Sequence, residues 1–69
     1  MSRLKLLGQN IRKYRNLKGL SQEKLAELTG LSREYIARIE TGVKRISLKK
    51  LFEIADILDA NCSDLVDFK

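Results

Sequence analysis

Ser21, Ser32, Ser47 and Ser63 carry hydroxyls of the kind that act as nucleophiles, but the chain contains no His to take their protons. No other base is marked by spacing, so each serine fits a helix cap or first-turn position better than a catalytic one. Glu23/Glu27 and Asp56/Asp59 pair carboxylates at helical spacing, which describes a solvated helix face as well as a general acid and base. With no His and the single Cys62, a metal site of the usual ligand types has too few ligands. No glycine loop of the phosphate-cradling kind is present. These residues therefore predict no enzyme, no cofactor and no metal.

The chemistry that remains is that of guanidinium and ammonium groups. Residues 1–46 hold 11 Lys/Arg against 4 Asp/Glu, a net of +7, whereas residues 47–69 hold 3 Lys and 5 Asp/Glu, a net of −2. That asymmetry suits a chain with one face on a polyanion and the other turned away from it; scattered solubilising charge is the plainer alternative. Arg33 and Arg38 lie within LSREYIARIE, and Lys44 and Arg45 follow it in VKRI.

Positioning these cations is the task of short helices. Leu4, Leu7, Ile11 and Tyr14 recur at steps of three and four and predict a first helix ending near Lys18–Gly19. Gly8 inside it costs about 1 kcal/mol relative to Ala, which marks a place of close packing. Ser21 is suited to cap a second helix with Leu25, Ala26 and Thr29 inward and Leu28 ambiguous. Gly30 suits the left-handed turn that ends it, and Ser32 then caps a third helix burying Ile36 and Ile39 before Gly42. The outward positions of that third helix are Ser32, Arg33, Glu34 and Arg38.

Ser47 opens a fourth helix whose broad apolar face holds Leu48, Leu51, Phe52, Ile54, Ala55 and Leu58, with Ile57 pointing away. Asn61 and Asp64 predict a cap for a brief fifth helix carrying Leu65, Val66 and Phe68. The expected architecture is all-α: a compact five-helix unit over 1–69 with a helix-turn-helix at 21–42. Too many charges interrupt the first residues for a secretory leader, and no apolar run is long enough to span a bilayer; with one Cys, a reducing cytoplasm is the expected setting.

The run LSQEKLAELTGLSREYIARIETG, preceded by IRKYRNLKG and followed by ISLKKLFEIADIL, resembles the phage repressor/Cro-like, or XRE-type, helix-turn-helix family from about Leu7 to Leu65. By length and loop shape it looks most like the controller proteins of restriction–modification systems. The resemblance implies sequence-specific binding of double-stranded DNA as a transcriptional repressor or controller, with a recognition helix at about 32–41 in the major groove. It implies base reading by Ser32, Arg33, Glu34 and Arg38, Arg33 by forking onto guanine O6 and N7. Glu34 departs from a purely basic face; accepting from a cytosine amine, excluding wrong sequences and simple solvation all fit it. Ser21, Gln22, Tyr35, Lys44 and Arg45 match positions along the DNA backbone, although margin packing fits Tyr35 equally well.

Two charged residues are assigned otherwise. Arg15 and Glu40 match a structural ion pair that ties the first helix to the end of the recognition helix. One such domain reads only a few base pairs, so a homodimer on a palindromic or pseudo-palindromic operator is expected, with a fully packed monomeric core as the alternative. Residues 47–69 form the expected dimerisation region, with Ile57, Val66 and Phe68 left over from a small core. No membrane and no small-molecule ligand is implied. The alternative is a protein-interaction module, such as an antitoxin-like partner that uses the acidic C-terminal helices.

Overall fold

Four serines each begin a helix. In the computed structural model, which describes residues 2–68, the Ser2, Ser21, Ser32 and Ser47 hydroxyl oxygens accept from the backbone N–H groups of Lys5, Lys24, Tyr35 and Lys50, at 3.0–3.2 Å. Each satisfies a donor that the helix itself leaves unpaired. The helices they open are α1 (Arg3–Leu17), α2 (Gln22–Thr29), α3 (Arg33–Glu40) and α4 (Leu48–Ile57). A fifth, α5 (Cys62–Leu65), begins at Asn61, whose backbone N–H donates to the Asp64 carboxylate at 3.2 Å. Met1 and Lys69, the outermost residues of the expected 1–69 unit, lie outside the described residues.

The four longer helices end alike. A residue with positive φ follows each, at Gly19, Gly30, Gly42 and Asp59. The next N–H then reaches back five residues, from Leu20 to Arg15, Leu31 to Ala26, Val43 to Arg38 and Ala60 to Ala55, at 2.9–3.1 Å. This left-handed closure satisfies carbonyls that the helix end leaves free and turns the chain sharply. Three glycines supply it without a Cβ penalty, and an aspartate, one of the residues that tolerates this region best, supplies the fourth.

Ile11, Leu25, Ile36, Ile39, Ile54 and Leu65 are the fully buried large side chains, at least one from every helix. Each contributes about 1.5–3 kcal/mol by leaving water. α1 packs on α3 and α5, while α2 packs on α3 and α4. Gly8 sets how closely α1 meets α3. A Cβ there would stand 2.3 Å from the Ile39 carbonyl oxygen and 2.5 Å from that of Glu40. Those are backbone atoms that cannot swing aside, so the helical cost of glycine is exchanged for contact between the two helices.

The acidic half corrects three expectations. Leu48 and Phe52 do not join the core; they are 69% and 52% exposed. Ile57 is half-buried and packs against the core instead of facing away. The ten-residue α4 packs chiefly on α2 and α5, and its broad apolar face is not all buried. α5 stops at Leu65, so Val66 and Phe68 lie beyond it, Val66 exposed and Phe68 half-buried. Asn10 of α1 holds this segment, donating to the Leu65 and Asp67 carbonyls at 2.8 and 2.9 Å. Across the molecule, Lys18 pairs with Asp59.

Candidate nucleic-acid interface

α2 and α3 meet across Gly30–Leu31–Ser32, and Ile36 and Ile39 anchor the inner side of α3 in the core. With that side fixed, helical periodicity turns Arg33, Glu34 and Arg38 outward, all exposed. Ser32 is exposed beside them; its oxygen is occupied as the cap, which leaves its hydroxyl proton free to donate. Arg33, Glu34 and Arg38 have no ion-pair partner among the described residues. The outer edge of α3 thus presents two unneutralised guanidiniums and one carboxylate on a rigid element.

Tyr35 links this edge to the loop that follows. Its ring is half-buried against the core, and its hydroxyl donates to the Arg45 carbonyl at 3.2 Å. The Lys44 ammonium lies 5.9 Å from the Tyr35 ring centroid, within range of the ring's negative face. Lys44 and Arg45 are exposed and have no ion-pair partner among the described residues. Tyr35 therefore packs at the margin and also steadies a basic loop. No local pattern in the sequence signals that ten-residue link.

At the other end of α3 the arrangement inverts. Arg15 Nε donates to Glu40 Oε2 at 2.7 Å and Arg15 Nη2 to Glu40 Oε1 at 3.1 Å, a two-point pair whose side chains are 9% and 2% exposed. Arg15 Nη1 donates to the Leu20 carbonyl at 2.7 Å. Gln22 Nε2 adds a third donor to the carboxylate, at 3.1 Å from Oε1. Gln22 is half-buried, and Ser21 before it is exposed. The expected backbone-contact residues thus fall in two groups, Ser21 and Gln22 at the start of α2, and Tyr35, Lys44 and Arg45 after the start of α3. The Gln22–Glu40 bond was not legible in the sequence, because it depends on how the second and third helices cross. Ile57, Val66 and Phe68 lie in the acidic half, away from both groups in the chain.

An outward-facing basic edge on the second of two helices joined at a left-handed glycine defines a helix-turn-helix protein. A model of the helix-turn-helix family matches residues 11–65. The chain belongs to that family. It is 39% identical over 61 residues to the control protein C.SmaI of Serratia marcescens, covering 88% of this chain and 73% of that protein. Among solved structures, it resembles the restriction–modification controller protein C.AhdI of Aeromonas hydrophila, with TM-score 0.84 and 42% identity over 90% of this chain and 94% of that one. It also resembles the biofilm regulator SinR solved in complex with DNA, with TM-score 0.82 and 34% identity over 88% of this chain and 98% of that one. No helix among the described residues is long and apolar enough to cross a membrane.

Proposed function

We propose that this chain is a transcriptional regulator, a repressor or controller, that binds double-stranded DNA sequence-specifically with α3 in the major groove. The observation that carries the reading is the row of exposed, unpaired cations Arg33, Arg38, Lys44 and Arg45 on and after α3. Unneutralised guanidiniums on a rigid helix can fork onto guanine edges, while the loop cations displace counterions from phosphates. A relative that is a controller protein and a structural neighbour held on DNA support the same reading.

In this proposal Ser32, Arg33, Glu34 and Arg38 meet base edges. Ser21, Gln22, Tyr35, Lys44 and Arg45 meet the backbone. The start of α2 favours an anion, because its free N–H groups and dipole face outward beside Ser21. One eight-residue recognition helix spans few base pairs, so the working form is a homodimer on a palindromic or pseudo-palindromic operator. Residues 47–69 are the proposed interface: Val66 and Phe52 are exposed there, and Ile57 and Phe68 are half-buried. The reading needs no catalysis and places the protein in the cytoplasm, with its DNA.

Selection of bound sequences from a random duplex pool, at stated salt, tests this directly. The expected result is two inverted half-sites about 34 Å apart, or a multiple of that spacing. A single unrepeated site would sink the dimer. No enrichment, or binding that ignores salt, would sink the DNA reading and favour the protein-interaction alternative.

A further inference from the structure

Glu40 ends the recognition helix, yet it is buried and receives donors from two other helices: Arg15 of α1 twice, and Gln22 of α2. A carboxylate only accepts, so the group of Gln22 that faces it is the amide nitrogen, and the flip of that amide is fixed. The amide nitrogen carries two protons. One is committed to Glu40; the other diverges from it, and Gln22 is only half-covered. Gln22 is also the first residue of α2, beside the exposed Ser21 and the free backbone N–H groups of that helix start.

Resting on the DNA-binding reading above, we propose that Glu40 is a positioning residue for the DNA backbone. It holds the Gln22 amide so that its second N–H, together with the start of α2, donates to one phosphate. An unanchored glutamine would give up side-chain rotamer freedom on binding, a cost that the Glu40 bond removes in advance. Arg15 has a second part in this. A bare carboxylate directly behind the Gln22 amide would repel the phosphate, and two guanidinium bonds plus burial withdraw the Glu40 charge, leaving the exposed Glu23 as the one carboxylate of that helix start still facing water. The network also joins the outward edge of α3 to the phosphate site through a single side chain. A phosphate seated on Gln22 thereby sets where Arg33 and Arg38 stand against the bases.

The test separates positioning from stability. Replacing a buried ion pair by apolar residues of similar size is often neutral for folding, so R15M/E40M removes the anchor while keeping the domain folded. The double variant should bind every duplex about tenfold more weakly, because freezing the freed Gln22 side chain then offsets the phosphate bond it makes. Its salt slope should match that of the unaltered chain, because a neutral amide releases no counterion. Gln22→Ala should show the same loss, and adding it to R15M/E40M should cost less than twofold more. A folded R15M/E40M that binds as tightly as the unaltered chain would overturn the proposal, as would losses that multiply.

A measurement on the unaltered chain covers the case in which R15M/E40M does not fold. Its Gln22 side-chain amide should give two distinct proton resonances, one shifted downfield by the carboxylate, and the second should shift when duplex is added. Two protons at free-glutamine positions would count against the anchor. If the unaltered chain binds no duplex at all, the DNA reading fails, and the resonances still report on the Gln22–Glu40 bond.

Discussion

At its N-terminal end α3 leaves Arg33 and Glu34 in solvent with no charged partner among the described residues, whereas at its C-terminal end Glu40 is enclosed by Arg15 and Gln22. Both ends belong to one eight-residue helix. What separates them is α1. Gly8 lets it lie directly on the Ile39 and Glu40 carbonyls, so the Glu40 charge on the inner side of the last turn is desolvated and must be matched within the fold, while Arg38 on the outer side stays exposed. The first turn buries Ile36 inward but leaves Arg33 and Glu34 exposed on its outer side, so those charges stay hydrated and, among the described residues, unmatched, free to meet a partner from outside. Charge at the covered end is spent on the angle between helices; charge at the open end is kept for binding.

The largest effect should come from disturbing the covered end. Arg15→Ala strands the Glu40 carboxylate in the interior, which costs about 3–5 kcal/mol. In a domain of this size each kcal/mol moves the midpoint by about 4–8 °C, so the thermal transition should fall by more than about 10 °C. A melting curve that does not move would show that the pair carries no stability.

A smaller effect of the opposite kind is expected at the open end. Arg33→Ala should leave the melting curve within about 0.5 kcal/mol of the unaltered chain, since an exposed charge supports little. It should cost about 1–3 kcal/mol on the preferred duplex and narrow the gap to a scrambled one. An unchanged ratio between the two duplexes would remove Arg33 from the base-reading set. The smallest effect belongs to Lys44→Ala. It should weaken all duplexes alike and lower the slope of log affinity against log salt by about 0.9, one phosphate contact. A sequence-dependent loss would move Lys44 from the backbone to the base edge.

The local features were legible because local chemistry decides them. Ser21, Ser32 and Ser47 sit just before helical patterns, and a serine there satisfies a free N–H whatever surrounds it. Gly19, Gly30 and Gly42 likewise take the left-handed turn beside the helices they close. Gly8 showed its cost in the sequence but not its partner, since the Ile39 carbonyl lies more than thirty positions away. α4 departs from its expected pattern at Leu48, Phe52 and Ile57 because a helical wheel says which residues share a face, not which face a neighbour covers. Asp59 closes a helix as the glycines do, but aspartate fits so many turns that its type alone singles out none of them. In the candidate site, the outward row on α3 followed from periodicity. The Gln22–Glu40 and Tyr35–Arg45 bonds did not, because each joins groups that only the packed fold brings together.

The Asn10 clasp has a consequence for the order of events during synthesis. Its acceptors, the Leu65 and Asp67 carbonyls, come more than fifty residues after it, and Leu65 is also the α5 contribution to the core. At translation rates of about 5–20 residues per second, α1 waits on the order of several seconds for that partner. Over this interval the helix-turn-helix segment has been synthesised, but the side of α1 that α5 packs on is still uncovered. The chain therefore acquires its DNA-facing parts before it can close, and the finished domain forms as the acidic segment arrives.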